Sequence, residues 1–160
     1  DFLHEEYILL PLDAENKWEA IEKMTDFLVK TNHLKSITRN ELLETIINRE
    51  KEFSTGLGDG LAIPHGRIPS KENLMGVIGI CKNKLDWEAI DGKAVDIVIM
   101  IATPDGQEAL HLKVLGAISK IFAEDTTFHN KMLAATSEAE LYDLMQSKEV
   151  RDINSYISEL

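Results

Sequence analysis

Ser54-Thr55-Gly56-Leu57-Gly58-Asp59-Gly60-Leu61-Ala62-Ile63-Pro64-His65-Gly66 is the stretch around which the rest of the chain organises itself. Glycine tolerates positive φ and close backbone approach, so Gly56, Gly58 and Gly60 at alternate positions read as a tight, amide-rich turn that can face an anion. Leu61 to Ile63 then form a brief buried strand. Pro64 fixes its own φ and biases Ile63 to extended backbone, delivering His65 at the strand's end with Gly66 leaving space beside the ring. Imidazole is nucleophilic near neutral pH, its ordinary pKa lying near 6.5, and the matching electrophile for an anion-friendly turn is a phosphoryl group. A structural loop that happens to end in Pro-His is the competing reading. A nucleotide site is excluded: there is no G-x-x-x-x-G-K-[ST], and G-L-G-D-G-L has neither the spacing nor the preceding strand of a dinucleotide fingerprint.

Outward from this stretch, Tyr7 to Leu12 reads as a strand. Asp13 is placed to cap a helix carrying Trp18, Ile21, Met24 and Leu28 on one apolar stripe. Thr38 and Glu41 form a capping-box pattern for a second helix that buries Leu42, Leu43, Ile46 and Ile47 and ends near Arg49. Beyond the glycine turn, strands are expected at Leu61 to Ile63, Met75 to Cys81 and Val95 to Ile101. A helix follows from Gln107 to Phe122, another opens at Thr126 or Thr127, and Ser137 with Glu140 caps a third. The order is β-αα-βββ-ααα, an α+β pattern with helices on a small sheet.

His111 lies with Leu115, Ile118 and Phe122 at the edge of a core-facing stripe, about one turn from a helix N-terminus, where the dipole favours an anion and a neutral imidazole. His4, His33 and His129 read as structural or solvated. Asp59 with His65 and His111 is the only set that suggests a metal, and scattered single ligands without a paired motif make metal hydrolysis the weaker chemistry.

The chain has 160 residues, 44% hydrophobic and 28% charged, enough for one compact domain with a substantial core. No apolar run approaches the roughly 20 residues that span a bilayer, and no secretory signal pattern is present, so a cytoplasmic protein without membrane insertion is expected. The single cysteine, Cys81, fits a reducing compartment and reads as a small buried hydrophobe. A formal net charge of −11 argues against nucleic acid as a partner.

Arg49-Glu50, Ser54-Thr55-Gly56, G-L-A-I-P-H-G ending at Gly66, Leu85-Asp86-Trp87, Asp91-Gly92, Val95 and His111-Leu112 occur in an order and spacing that resembles the enzyme IIA domains of the fructose, mannitol and nitrogen-regulatory class of the bacterial sugar phosphotransferase system. The likeness runs from about Glu6 to Met145 and is closer to the fructose and nitrogen-regulatory branches. It implies a three-layer α/β/α sandwich with a mixed sheet over residues 1–147, leaving 148–160 as a tail or the start of another segment. It implies that His65 accepts a phosphoryl group, at Nε2, from the phosphocarrier protein HPr or a paralogue, with His111 and Arg49 as its active-site companions. Thr55, Gly56 and Gly66 are the implied phosphate contacts, with Ser54 and Arg67 as secondary candidates, whereas Asp59 would repel a phosphoryl dianion and is expected to turn away or pair with a basic residue. No metal or nucleotide cofactor is implied. The acceptor is then a cysteine of an enzyme IIB domain or, in a regulatory role, a target protein that senses the state of His65.

Overall fold

The computed structural model describes residues 4–146 and Arg151. A 3-10 turn at Glu5–Tyr7 leads into β1 (Ile8–Leu12), followed by α1 (Lys17–Thr31) and α2 (Arg39–Glu52). Five strands come next: β2 (Gly56–Gly58), β3 (Leu61–Ala62), β4 (His65–Ile68), β5 (Met75–Leu85) and β6 (Val95–Pro104). Three helices, α3 (Glu108–Glu124), α4 (Phe128–Ala134) and α5 (Glu138–Leu144), complete the described fold.

The sheet is mixed, in the order β1-β5-β6-β3-β2, with β4 also pairing with β6. β1 runs parallel to β5, β5 antiparallel to β6, and β2 antiparallel to β3. β3 and β4 lie end to end along one side of β6, both parallel to it, with Leu61 opposite Ile97 and His65 opposite Ile101. All ten residues of β6 are buried, as a central strand covered on both faces must be. Its alternate residues serve two cores. Ile97, Ile99 and Ile101 pack with Val114, Ile118 and Phe128 on the α3–α5 side, while Val98, Met100 and Ala102 pack with Ile21, Met24, Leu42 and Ile46 on the α1–α2 side. The α/β/α sandwich is therefore the observed fold.

Two capping patterns hold: Thr38 Oγ1 accepts from Glu41 N, and Ser137 Oγ accepts from Glu140 N. Other expectations need correction. The cap of α1 is Asn16, whose Oδ1 accepts from Glu19 N, because α1 starts later than Asp13 allows. Trp18 is half-exposed at the edge of the helix, and Lys17 is buried in its place. Five strands, not three, follow α2. The glycine stretch is itself a short strand, β2, hairpinned onto β3, and Ile63-Pro64 interrupts the edge so that His65 opens β4 instead of ending a strand. The boundary expected at 147–148 lies outside the described residues.

Gly66 sets how closely α2 approaches β4. A Cβ there would stand 2.7 Å from Ile46 Cγ1 and 3.1 Å from Thr45 Cγ2, so α2 rests directly on the strand. Leu42 and Ile46, both fully buried on that helix, anchor it, each contributing roughly 1.5–3 kcal/mol. The last turn of α2, with Arg49, is thereby brought beside His65.

Candidate active site

His65, the first residue of β4, is held by one hydrogen bond that decides its chemistry. Its Nδ1 lies 2.9 Å from the carbonyl oxygen of Ile63. A carbonyl only accepts, so Nδ1 carries the proton and Nε2 keeps its lone pair. The ring is half-buried at the edge of a cleft of about 630 Å³ formed by the end of α2, β4, the end of β6 and the first turn of α3. Arg49, Arg67, Thr103 and His111 line it with His65.

His111 meets His65 with ring centroids 4.7 Å apart and planes tilted by 55°. Its Nδ1 is 2.7 Å from the hydroxyl of Thr103, a buried residue near the end of β6. When Thr103 donates that bond, Nε2 of His111 carries the proton and can donate to an oxyanion. Arg49 donates to the carbonyl of Phe53 at 2.9 Å, which ties the guanidinium to the helix end. Burial is the main reason that both imidazoles titrate below their ordinary range. For His111, the charges of His65, Arg49 and Arg67 add to burial and bring the value down to about 4. For His65, the Ile63 bond and the charge of Glu50 oppose the shift, while Arg49 deepens it. Two neutral rings beside two arginines form a site for an anion, with one nitrogen able to attack.

The family model of the phosphoenolpyruvate-dependent sugar phosphotransferase system, EIIA 2, matches residues 1–148. The chain belongs to this family. A nitrogen regulatory protein of Bradyrhizobium diazoefficiens is 30% identical over 91% of this chain and 92% of its own length. The fructose-specific EIIABC component of Bacillus subtilis is 32% identical over 91% of this chain, which spans only 22% of that protein. Among solved structures, the nitrogen regulatory protein IIA-Ntr of Neisseria meningitidis superposes with a TM-score of 0.81 at 25% identity, covering 91% of this chain and 97% of that one.

Within this EIIA 2 domain, the sequence candidates separate into those that reach His65 and those that do not. His65, His111, Arg49, Gly66 and Arg67 share one cleft. The glycine turn does not: Gly58, Asp59 and Gly60 line a different cleft, of about 980 Å³, on the α3–α4 side. The expectation that its amides face the phosphoryl group is thus corrected, because the turn forms a hairpin that carries them away from the His65 side. Thr55 and Gly56 line neither cleft. Both donors of Thr55 go to Glu50, and Gly56 N donates to Ser54 Oγ at 3.1 Å. Ser54 Oγ in turn donates to the Trp87 carbonyl. Asp59 is almost fully exposed and pairs with Lys93 at 3.5 Å, and so does not approach an anion at His65.

His4 caps the first 3-10 turn, His33 adopts positive φ in the loop after α1, and His129 is bonded through Nε2 to Asp96. Among the described residues no group of three His, Cys, Asp or Glu side chains is arranged to hold a metal, and no helix is long and apolar enough to cross a membrane. Cys81 is half-buried, its thiol pushed up to about 12 by burial and the nearby Asp96 charge. Sequence reasoning missed Thr103 and Glu50. Thr103 carries no motif, and Glu50 was quoted only as the neighbour of Arg49.

Proposed function

We propose that this domain is a phosphohistidine carrier, receiving a phosphoryl group on Nε2 of His65 and passing it to a protein acceptor. The observation that carries this reading is the Nδ1 bond to the Ile63 carbonyl, which leaves Nε2 as the nucleophile in a cleft flanked by Arg49 and His111. In the first step the Nε2 lone pair forms a bond to phosphorus while the bond between phosphorus and the donor atom breaks, its electron pair staying on the donor. Arg49 binds equatorial oxygens, and His111, protonated on Nε2 through Thr103, donates to another. Both offset charge spread over the phosphoryl group in a loose transition state. In the second step the acceptor's nucleophile attacks phosphorus, the P–N bond breaks, and its pair returns to Nε2. No metal or nucleotide enters either step.

Phospho-HPr or a paralogue is the proposed donor, and a cysteine of an enzyme IIB domain the proposed acceptor. The mannitol IIA of Escherichia coli, which shares this fold at a TM-score of 0.71, has been determined in complex with its phosphorylated IIB. A second reading is favoured by the nitrogen regulatory relative, which the chain matches along nearly its whole length. There, about −2 of added charge at His65 switches contacts with a regulated protein. Both readings use the same transfer onto His65, and Arg49, His111, Gly66 and Arg67 serve it in either case.

The deciding experiment incubates the domain with enzyme I, HPr and phosphoenolpyruvate and follows intact mass. An acid-labile gain of about 80 Da in the native protein that is lost in His65→Ala is expected for a phosphoramidate on that residue. A native protein that stays unlabelled with every donor paralogue tried rejects the carrier reading.

A further inference from the structure

Behind the cleft, on the same turn of α2 as Arg49, lies a carboxylate that touches no reacting atom. Glu50 is 2% exposed. Its Oε2 accepts from Thr55 N at 2.6 Å, and its Oε1 accepts from Thr55 Oγ1 and from Trp87 Nε1, the latter at 3.0 Å. Trp87 is fully buried, and its carbonyl is held by Ser54 Oγ at 2.6 Å and by Lys17 Nζ at 3.3 Å. Lys17 is itself 5% exposed. An ionised carboxylate is costly in such surroundings unless its oxygens are hydrogen-bonded, and here Oε1 accepts two bonds and Oε2 one. Thr55 N, Thr55 Oγ1 and Trp87 Nε1 all donate to Glu50, with Trp87 Nε1 also 3.3 Å from Thr55 Oγ1, an arrangement that the ionised carboxylate satisfies directly, whereas an amide turns an N–H toward at least one of these donors unless the Thr55 hydroxyl reverses its bond.

The bonds continue from Thr55 to the reactive ring. The carbonyl of Thr55 accepts from Ile63 N at 3.0 Å, and the carbonyl of Ile63 accepts from His65 Nδ1 at 2.9 Å. We infer that Glu50 is a positioning residue for transfer at His65: its ionised carboxylate fixes Thr55, Thr55 fixes the Ile63 peptide, and that carbonyl sets the tautomer and ring direction of His65. The inference rests on the reading of His65 as the phosphoryl acceptor. The linkage is local, every member being in direct hydrogen-bond contact with the next, so no change of fold is needed to transmit it. The adjacent pair Arg49-Glu50 thus divides its work. One side chain faces the cleft and the other braces the loop behind it.

The test uses the full chain carrying Glu50→Gln, which preserves size but presents an N–H to a donor. Two-bond 1H–15N correlations of the ring nitrogens, recorded on unphosphorylated protein, report the tautomer. The native His65 is expected almost wholly as the Nδ1–H form, and Glu50→Gln as a mixture. Single-turnover labelling from the phosphorylated donor, normalised to the folded fraction from thermal unfolding, is expected to slow roughly 10- to 100-fold, the scale of a misplaced reacting group. Trp87→Phe removes the Nε1 bonds to Glu50 and to Thr55 Oγ1 but leaves both Thr55–Glu50 bonds in place, and is expected to slow transfer only a few-fold. A residue that merely supported the fold would lower the melting temperature while leaving the tautomer and the rate per folded molecule at native values, and that result overturns the inference. Should Glu50→Gln fail to fold, Glu50→Asp keeps the charge at shorter reach. A shifted tautomer population is then expected, and a native tautomer with a native rate overturns the inference equally. Absence of labelling in the native protein rejects the carrier reading instead, while the tautomer measurement still decides the role of Glu50.

Discussion

The cleft at His65 measures about 630 Å³ and the cleft at His129 about 980 Å³, and each holds a partly buried imidazole beside the edge of the same sheet. The larger one has the weaker chemistry. His129 gives its Nε2 to Asp96, a carboxylate that is 7% exposed, so an incoming phosphoryl dianion would meet a buried negative charge. The lysines at that rim, Lys84 and Lys93, are exposed, and Lys93 is already paired with Asp59. His65 gives its Nδ1 to a neutral carbonyl, keeps Nε2 unprotonated, and faces Arg49 and Arg67. What separates the two sites is the atom that holds each ring, and the charge of that atom.

The largest expected effect that sharpens this contrast is at Arg49. Arg49→Ala should slow labelling of His65 by about 10²-fold, the usual loss when one preorganised donor to a developing charge is removed. Arg49→Lys should recover only part of it, since an ammonium cannot bind two phosphate oxygens in a fork. A rate within a few-fold of native for Arg49→Ala in single-turnover labelling would break the contrast.

At the other cleft the ranking reverses. His129→Asn leaves Asp96 short of its partner and should lower stability by about 1–3 kcal/mol in urea unfolding, with labelling per folded molecule within roughly twofold of native. Gly60→Ala should do similar damage, because its φ is +84° and a Cβ would stand 2.7 Å from Asp96 Oδ1. If either variant abolished labelling while folded, the second cleft would belong to the reaction.

The smallest expected effect concerns pH. An unfolded chain protonates an ordinary histidine near 6.5, whereas His111 in the fold stays neutral down to about 4. Between those values the unfolded state binds the extra proton, so stability falls as pH falls through that window. His111→Gln removes this contribution. The stability lost between about pH 7 and about pH 4.5 should shrink by on the order of 1 kcal/mol, allowing for solvent screening at a half-buried ring. An acid slope identical to native in paired urea titrations would refute this account.

The parts of the molecule legible in the sequence are those written in periodicity and capping: β1, the α1 and α2 stripes apart from Trp18, the apolar run of β6 from Ile97 to Ala102, and the Thr38 and Ser137 caps. Pro64 and the glycines announced a break in regular structure, but not the direction in which the chain would leave it. Whether alternating glycines make a turn over His65 or a hairpin away from it depends on the pairing of Gly56 with Ala62, a contact between residues with no side-chain signal. That His65, His111 and Arg49 share one cleft accords with a grouping that motif and spacing suggest in sequence. Thr103 and Glu50 were not legible there, since a lone threonine at a strand end and a glutamate on a charged helix become informative only once their partners are folded against them.

The interruption at Pro64 has one more consequence. Ile63 closes the β2–β3 hairpin with its N–H on Thr55, while Pro64, lacking an N–H, turns its carbonyl to Ile101 on β6. The carbonyl of Ile63 therefore lies just past the last rung of one ladder and outside the other. In an unbroken strand that oxygen would belong to the sheet. Here it is surplus to the sheet's count, and this unclaimed acceptor acts as the template that chooses which face of a symmetric-looking ring is presented to the world.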